Sequence, residues 1–303
     1  MSGSVTSILG HVHYEHLVAG VSGGVAATMI LHPLDLIKIR FAVNDGQLAT
    51  IPQYKGIFNA FATIVRQEGI AGLYRGVTPN VWGAGASWGL YFLFYNAIKA
   101  WMEGEEKGTL NAGRHMLAAA EAGVMTLSMT NPLWVVKTRL CLQYRNMTDV
   151  PAHKHYSGMI DALRKVYVHE GILGLYKGFL PGMLGVSHGA LQFMAYEELK
   201  RRYNLYRHVA ITNKLTSVEY LTCAAISKLF AASVTYPYQV IRARLQDQHH
   251  NYSGIVDVLS RTWRFEGWRG FYKGIVPNLL KVTPATAITF LIYENVIAIL
   301  MPT

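Results

Sequence analysis

Five ionisable side chains stand inside otherwise apolar stretches of this sequence. They are Asp35, Lys38, Lys137, Lys228 and Lys281. An ionisable group at membrane depth is costly unless it faces a water-filled cavity or a partner of opposite charge. Four of the five are lysines, and a lysine ammonium binds phosphate or carboxylate groups. The pattern therefore predicts a wet path lined by cations, which would bind and pass an anion.

Residue patterns typical of catalysis are not recognisable in the sequence. There is no nucleophile–base pair and no phosphate-binding loop, and the two cysteines and 12 histidines lack the spacing of metal ligands. Gly83 and Gly85 do not form a dinucleotide fingerprint, because that motif needs a preceding strand and a third glycine at fixed spacing. We therefore expect a protein that is not an enzyme and holds no metal and no resident cofactor.

The composition favours a helical bundle in a bilayer. Of the 303 residues, 51% are hydrophobic and 15% are charged, against about 25% charged in ordinary soluble domains. The formal net charge is +10, and such an excess fits nucleic acid, anionic lipid or an anionic substrate. Because the Lys and Arg residues are spread along apolar segments without a basic stripe, nucleic acid is not an expected partner.

Two sequence elements recur three times in the same order, with a period of about 100 residues. The first is a proline followed at fixed spacing by two basic residues, and it occupies residues 33–40, 132–139 and 237–244. The second is Glu-Gly followed by aromatic-basic-Gly, and it occupies residues 68–76, 170–178 and 266–274. Six elements in one order indicate a chain built from three tandem repeats.

Each repeat predicts two long helices with a short one between them. In the first repeat, an apolar helix runs into Pro33 and continues as a basic half. A short helix over residues 54–67 follows, and the Glu-Gly pair ends it because glycine readily takes the left-handed terminal conformation. The second long helix is expected from Thr78, Pro181 and Pro277 in the three repeats. The expected fold is therefore all-α with six spans. The predicted repeats cover residues 14–104, 112–206 and 214–300 of a single transmembrane domain, residues 1–303.

These elements resemble the mitochondrial carrier family over nearly the whole chain, from His16 to Ile299. The family pattern is Pro-x-acidic-x-x-basic-x-basic, three times, each followed by acidic-Gly, four residues and aromatic-basic-Gly. The resemblance implies a monomeric barrel of six transmembrane helices with threefold pseudosymmetry and three short helices on the matrix side. It also implies the inner mitochondrial membrane, one central site used alternately from both faces, and bound cardiolipin.

Four stretches look most like the branch of this family that carries FAD and folates. They are residues 87–92 (SWGLYF), 131–134 (NPLW), 188–197 (HGALQFMAYE) and 235–239 (TYPYQ). The resemblance implies a carrier that imports FAD, a (tetrahydro)folate or both into the matrix. The two cargoes stay open, because each combines negative charge with a flat heteroaromatic ring.

Family analogy predicts a matrix gate at the first repeated element. Its residues are Asp35, Lys38, Trp134, Lys137, Gln239, Arg242 and Gln246. The predicted contacts are an Asp35–Lys137 ion pair, a Gln239–Lys38 hydrogen bond and a Trp134–Arg242 cation–π contact. Gln246 stands where the family places a glutamine that braces a gate pair. Since only one ion pair remains and a cation–π contact contributes about 0.5–2 kcal/mol, we expect a weak gate.

Family analogy also predicts a cytoplasmic gate late in the second helix of each repeat. Its residues are Asn96, Lys99, Glu197, Lys200, Glu294 and Ile297. The predicted ion pairs are Lys99–Glu197 and Lys200–Glu294, and Asn96 would meet Ile297. No charge is then stranded, which supports this pairing because an orphan buried charge is costly.

The predicted substrate site lies between the two gates. Its residues are Trp82, Gly83, Trp88, Leu184, Gly185, His188, Gln192, Lys228 and Lys281. By family analogy Gly83, Leu184–Gly185 and Lys281 are contact points, so two repeats leave room for a bulky ligand and the third offers a cation. Lys228 precedes Gln239 by about three helical turns and should share its face.

The remaining site residues have two readings each. Trp82 and Trp88 either stack on the substrate ring or pack between helices and at the membrane interface. His188 and Gln192 either line the cavity or form an interhelical hydrogen bond. Glu121 also falls within a predicted span, but its face points away from Trp134, so we expect it between helices and outside the site.

Three functions therefore compete. The first is import of FAD, folate or both. The second keeps the fold and changes the cargo to NAD, a pyrimidine nucleotide or another organic anion. The third is a membrane scaffold that does not transport, and the predicted ion pairs argue against it.

Overall fold

The computed structural model describes residues 14–48, 51–105, 111–145, 151–208 and 215–300. Within these ranges the regular elements are all helices, which confirms the expected all-α class. The predicted start of the third repeat, residue 214, lies outside the described residues. Two described stretches, Val18–Val43 and Ile255–Leu300, are long and apolar enough to cross a membrane.

The helices follow the predicted order of long, short and long in each repeat. The first repeat contains α1 (Tyr14–Val43), α2 (Ile57–Glu68) and α3 (Val77–Glu105). The second contains α4 (Ala112–Cys141), α5 (Met159–Leu175), α6 (Phe179–Met183) and α7 (Val186–Tyr206). The third contains α8 (Ser217–Val234), α9 (Tyr236–Gln246), α10 (Ile255–Glu266) and α11 (Ile275–Leu300). Short 3₁₀ helices span Ile70–Tyr74, Ala152–Lys154 and Gly267–Tyr272.

The short helix of the first repeat ends where the Glu-Gly pair predicted. Its last residue is Glu68, and Gly69 has a φ of 76°. The Gly69 N–H still donates to the Val65 carbonyl over 3.0 Å. In the second repeat, Gly171 likewise has a non-helical φ of 68° inside α5. The glycine therefore sets the end of the short helix, because a positive φ is strained for other residues.

Two long helices are interrupted, which the sequence did not predict. The second helix of repeat 2 breaks at Leu184–Gly185, and the first helix of repeat 3 breaks at Thr235. At the first break the Leu184 N–H donates to the Pro181 carbonyl over 3.2 Å, so the turn is tighter than an α-helix. The breaks meet, since His188 Nδ1 lies 3.0 Å from Thr235 Oγ1.

The two repeated sequence elements are joined by an arginine–glutamate pair in each repeat, in which the arginine is buried. The pairs are Arg40–Glu68, Arg139–Glu170 and Arg244–Glu266. Each glutamate also meets the basic residue of the aromatic-basic-Gly motif: Arg75 at 3.3 Å, Lys177 at 2.8 Å and Lys273 at 2.5 Å. The second basic residue of the signature is therefore structural, and the three arginines are at most 1% exposed.

The same arginines connect each repeat to the next. Arg40 Nε donates to the Cys141 carbonyl over 3.0 Å, and Arg139 Nε donates to the Gln246 carbonyl over 3.3 Å. Arg244 Nε closes the circle by donating to the Ala42 carbonyl over 3.0 Å. Around the ring, α11 packs along α1, α3 along α4 and α7 along α8. The first helices of the three repeats thus converge at their carboxyl ends.

Candidate substrate cavity and gates

A cavity of about 280 Å³ lies where the first helices of the three repeats converge. All seven predicted matrix-gate residues line it, together with Ile39, Ala42, Thr138, Gly185, His188, Tyr236, Tyr238 and Ala243. Among these lining residues Asp35 is the one carboxylate, against the cations Lys38, Lys137 and Arg242. The cavity floor therefore has an excess of positive charge.

Asp35 is held by cations from two other repeats. Lys281 Nζ lies 2.7 Å from both carboxylate oxygens, and Lys137 Nζ lies 3.7 Å from Oδ2. Asn80 Nδ2 donates to the same oxygen over 3.3 Å. The expected Lys137 contact is thus present but is the longer one. The predicted substrate lysine, Lys281, is the nearer cation to the gate carboxylate.

Lys38 lacks a carboxylate partner at its own gate position. Its Nζ donates to Gln239 Oε1 over 2.8 Å, as expected, and also to Asn278 Oδ1 over 2.7 Å. The ammonium additionally lies 5.8 Å from the centre of the Tyr236 ring. Neutral oxygens therefore solvate this lysine, and Asp35, the carboxylate within its electrostatic range, is itself bound by Lys281 and Lys137.

Arg242 does not form the predicted contact with Trp134. The cation over the Trp134 ring is Lys137, whose Nζ lies 5.2 Å from the ring centre. The indole packs toward α3, where a Cβ built on Gly83 would lie 3.5 Å from its Cζ2 atom. Arg242 Nη2 instead donates to Asn131 Oδ1 over 3.3 Å, and its buried Nε has no hydrogen-bond partner in the described residues.

Gln246 does not brace a gate pair in this structure. Its Oε1 accepts from Thr138 Oγ1 over 2.7 Å, and its Nε2 donates to the Lys177 carbonyl over 3.3 Å. Both partners belong to repeat 2, so the side chain links α9 to the second repeat. These hydrogen bonds use its carbonyl and amide groups, which explains the absence of contact with Arg242 or Lys137.

The predicted substrate residues separate into two groups. Gly185 and His188 line the cavity, and Lys281 reaches it through Asp35. Half-buried Lys228 lies within electrostatic range of His188. Gly83 lies against the Trp134 ring. Gly185 and His188 therefore line the cavity directly, and Lys281, Lys228 and Gly83 each lie next to one lining residue.

The other predicted substrate residues do not line this cavity. Trp82 and Trp88 are each 65% exposed and Leu184 is 58% exposed. Trp88 stacks on Phe92 with ring centres 5.8 Å apart. Half-buried Gln192 is likewise absent from the lining residues. The break in repeat 2 therefore brings Gly185, rather than Leu184, to the cavity wall.

The predicted ion pairs of the cytoplasmic gate are not formed. Lys99 Nζ pairs with Glu103 on its own helix at 3.6 Å. In the described part of the chain, Lys200, Glu197 and Glu294 form no ion pair, and both glutamates are exposed. Asn96 is exposed and Ile297 is half-buried. The chain is therefore closed at the end where the first helices converge, and the ion pairs predicted for the opposite end are not formed in the described residues.

Two asparagines that the sequence analysis did not predict bind residues of the predicted matrix gate: Asn80 donates to Asp35, and Asn278 accepts from Lys38. Asn80 and Asn278 each stand four residues after the glycine of the aromatic-basic-Gly motif. Repeat 2 has Gly182 at this position, and a Cβ there would lie 3.4 Å from the Arg242 guanidinium carbon. Comparing the three repeats at this position would have shown the Asn-Gly-Asn pattern.

Among the described residues, no group of three or more His, Cys, Asp or Glu is placed to hold a metal.

Comparison with known proteins agrees with this architecture. The family model described as "Mitochondrial carrier protein" matches residues 11–106, 108–207 and 213–303. The chain is 44% identical over 299 residues to "Folate transporter 1, chloroplastic" of Arabidopsis thaliana, covering 95% of this chain and 96% of that protein. It is 39% identical to "Nicotinamide adenine dinucleotide transporter 1, chloroplastic" of Arabidopsis thaliana, covering 92% and 89%. It is 31% identical to "Mitochondrial FAD carrier protein FLX1" of Saccharomyces cerevisiae, covering 93% and 95%.

The chain belongs to the mitochondrial carrier family. The expected resemblance is therefore confirmed. The relatives are transporters of organic cofactor-type compounds, and such compounds are their substrates rather than bound cofactors.

Proposed function

We propose that this chain imports FAD, a reduced folate or both across the inner mitochondrial membrane by alternating access. The observation that carries the proposal is the cationic cavity floor, which suits an organic anion. Folate and FAD carriers are among the relatives. Of these three relatives, two are named chloroplastic and one mitochondrial, and we propose the inner mitochondrial membrane for this chain.

The cavity suggests how the anion is held. Lys38 and Arg242 have neutral oxygens as partners and no carboxylate within the described residues. Lys281 has Asp35 as its partner and is 31% exposed along its side chain. A pyrophosphate or glutamate carboxylate that binds these cations gains charge-assisted hydrogen bonds, which are the strong class of hydrogen bond. The anion therefore binds at the gate itself.

Binding at Lys281 couples the cargo to the gate. An anion that takes over the Lys281 ammonium leaves Asp35 with Lys137, whose contact is 3.7 Å long. The weaker remaining pair lowers the cost of separating the first helices. A ligand shifts a two-state equilibrium only through its different affinity for the two states, and this exchange of partners supplies that difference.

The first experiment is thermal unfolding of purified protein with FAD, FMN, 5-formyltetrahydrofolate, NAD and UTP. A ligand at about 100 times its Kd stabilises the folded state by about 2.7 kcal/mol. We expect a shift with FAD or the folate, lost in Lys281→Ala and retained in Lys165→Ala, which alters a partly exposed lysine on α5. Uptake of the same compound into proteoliposomes then tests transport. If FAD and folate neither bind nor enter, the cargo assignment is wrong.

NAD is the second candidate cargo, because a relative 39% identical is an NAD transporter. A thermal shift and uptake with NAD alone would assign that cargo. Binding without uptake of any compound would instead favour the scaffold.

We also propose a monomer that binds cardiolipin. Each short helix of the repeats has an exposed apolar residue at its second position: Phe58, Ile160 and Val256. These side chains suit a membrane interface beside anionic headgroups. Adding cardiolipin should raise the melting temperature more than phosphatidylcholine does, and sedimentation should give one chain per particle. A cardiolipin response equal to that of phosphatidylcholine would contradict the lipid assignment.

A further inference from the structure

The segment Asp247–His250, which follows α9, touches both of the other repeats. His249 Nε2 lies 2.8 Å from the Leu142 carbonyl, and Lys154 Nζ donates to the Gln248 carbonyl over 2.9 Å, so both contacts join repeat 3 to repeat 2. His250 points the other way, toward Asp45 in the linker that follows α1. One short segment therefore holds the three repeats together at the closed end.

His250 lies between two buried carboxylates. Its Nδ1 is 2.6 Å from Asp247 Oδ2, and its Nε2 is 3.1 Å from Asp45 Oδ2. The imidazole and the Asp45 side chain are each 8% exposed, and the Asp247 side chain is fully buried. Nδ1 is hydrogen-bonded to Asp247, whereas Nε2 meets Asp45 as an ion pair without hydrogen-bond geometry. Because both ring nitrogens face carboxylate oxygens, the arrangement suits the imidazolium, which carries a proton on each nitrogen.

Other charged and titratable groups lie around His250 and its two carboxylates. The Tyr252 ring stacks on His250 with centres 5.5 Å apart. Asp247 accepts hydrogen bonds from the backbone N–H groups of Gln248, His249 and His250. Positive charge from Arg244 reaches Asp45, His249 lies near Asp247, and Glu266 lies near Tyr252. Among these groups His250 is the one that contacts both a carboxylate of repeat 1 and a carboxylate of repeat 3.

We propose that protonated His250 is a clasp between repeats 1 and 3, which must open each time the matrix gate opens. The inference rests on the proposed alternating access. In that mechanism α1 separates from α9, and this separation moves Asp45 away from His250. An imidazolium that is hydrogen-bonded to Asp247 and ion-paired with Asp45 stabilises the closed end, and a neutral ring loses the charge that holds Asp45. The clasp therefore makes opening of the matrix gate sensitive to pH.

The direction of the pH effect follows from the two carboxylates. Burial alone would lower the pKa of His250, but Asp247 and Asp45 outweigh it and raise this pKa to about 9. A raised pKa gives stabilisation that is complete below the ordinary histidine value, about 6.5, and is lost as pH rises through about 9. Alkaline conditions should therefore release the clasp and favour opening.

Cys141 provides a reporter of opening that needs no cargo. It is fully buried at the carboxyl end of α4, and its Sγ lies 3.3 Å from the Arg75 carbonyl. In a Cys223→Ala background it is the sole cysteine, since the sequence has two. Its alkylation by N-ethylmaleimide, normalised to the rate in denatured protein at each pH, measures how often this end opens.

The test compares His250→Gln and His250→Arg with His153→Gln, an exposed histidine that packs on His169. At about pH 7 we expect about tenfold faster alkylation in His250→Gln than in His153→Gln, from loss of a charge-assisted contact. The difference should vanish near pH 10, where wild-type His250 is neutral. His250→Arg, which keeps the charge, should stay slow at both pH values.

Equal alkylation of His250→Gln and His153→Gln at neutral pH would overturn the clasp. If His250→Gln does not fold, the comparison of wild type with His250→Arg still tests the clasp. The clasp is also overturned if the wild-type alkylation rate rises with pH no more than the rate of His250→Arg does. Because no cargo is used, failure here is distinguishable from a wrong assignment of FAD or folate.

Discussion

Asp35 illustrates how a single side chain can combine the cavity with the gate. It accepts bonds from Lys281 on α11 and Asn80 on α3, and it pairs with Lys137 on α4. Four helices from the first, second and third repeats therefore meet at one carboxylate. Its removal leaves two ammonium groups facing each other without compensation, and breaking a largely buried pair in this way is costly.

Asp35→Asn should destabilise the cargo-free protein by about 2 kcal/mol, less than for a fully buried pair because Lys281 is partly exposed. The measurement is the free energy of unfolding in detergent. Glu103→Gln is the matched control, because the Lys99–Glu103 pair is exposed and should contribute about 0–1 kcal/mol. Equal losses in the two variants would show that Asp35 does not hold the gate.

At the scale of the helices, close packing limits the glycine that precedes α3. Gly76 has a φ of 79°, and a Cβ there would lie 2.9 Å from Cys141 Sγ and 3.0 Å from the Lys137 carbonyl. Gly46 has a similar φ of 82°, but the nearest atom to its Cβ would be 4.0 Å away. A substitution at Gly46 therefore adds backbone strain alone, whereas the same substitution at Gly76 adds a steric clash as well.

Gly46→Ala should cost about 1 kcal/mol through the left-handed backbone alone. Gly76→Ala should cost about 3 kcal/mol, because overpacking adds to that strain. Chemical denaturation of both variants in one detergent measures the difference. Similar losses at the two positions would mean that α4 yields to the added methyl group without cost.

Glu121 lies on the outer face of α4, which corrects the expectation that it packs between helices. It is exposed, as are Leu117, Met125 and Met129 at four-residue spacing along the same face. No ion pair or hydrogen bond to Glu121 occurs in the described part of the chain. The helical periodicity correctly placed Glu121 on the side of α4 away from Trp134. In the described residues, no other helix packs against Glu121 on that side.

Glu121→Leu should therefore stabilise the protein in lipid nanodiscs by about 1–3 kcal/mol, since a carboxyl group facing hydrocarbon is unfavourable. Glu198→Leu, at the paired and water-accessible end of α7, should bring no gain. Thermal unfolding in nanodiscs compares the two. Destabilisation by Glu121→Leu would indicate a partner that the monomer lacks.

For the molecule as a whole, the arginine–glutamate links set the response to acid. Burial alone would raise the pKa of Glu170, but hydrogen bonds from Arg139 and Lys177 outweigh it and lower this pKa to about 2. A depressed pKa gives stabilisation that is present above the ordinary glutamate value, about 4.3, and is lost as pH falls through about 2. Stability should therefore decline over this acid range.

Glu170→Gln should remove part of that decline. The wild-type melting temperature should fall more steeply than that of Glu170→Gln between about pH 5 and pH 2, because the variant has no carboxyl group to protonate there. Melting curves across this range, at constant ionic strength, measure the slopes. Parallel slopes would show that Glu170 does not control acid stability.

The repeats and the helix order could be predicted because they depend on local and recurring patterns, and the residues of the predicted matrix gate do line one cavity. The breaks at Gly185 and Thr235 could not, because they involve a tertiary contact between α7 and the junction of α8 with α9. The Lys281–Asp35 contact escaped prediction for a similar reason: the family scheme pairs the first helices with one another, whereas Lys281 is on a second helix. The Trp134–Arg242 contact was wrong because the space beside Gly83 takes the indole.

The hydrogen bonds of Arg40, Arg139 and Arg244 form a closed circle, which has a consequence for the order in which the repeats can follow one another along the chain. Each arginine reaches the following repeat, and the last reaches the first. The ring therefore has no unique starting repeat. A circular permutant that begins at α4 and ends after α3, with a flexible linker from α11 to α1, should keep all three bonds. Such a chain should fold to the same barrel with its ends placed between α3 and α4.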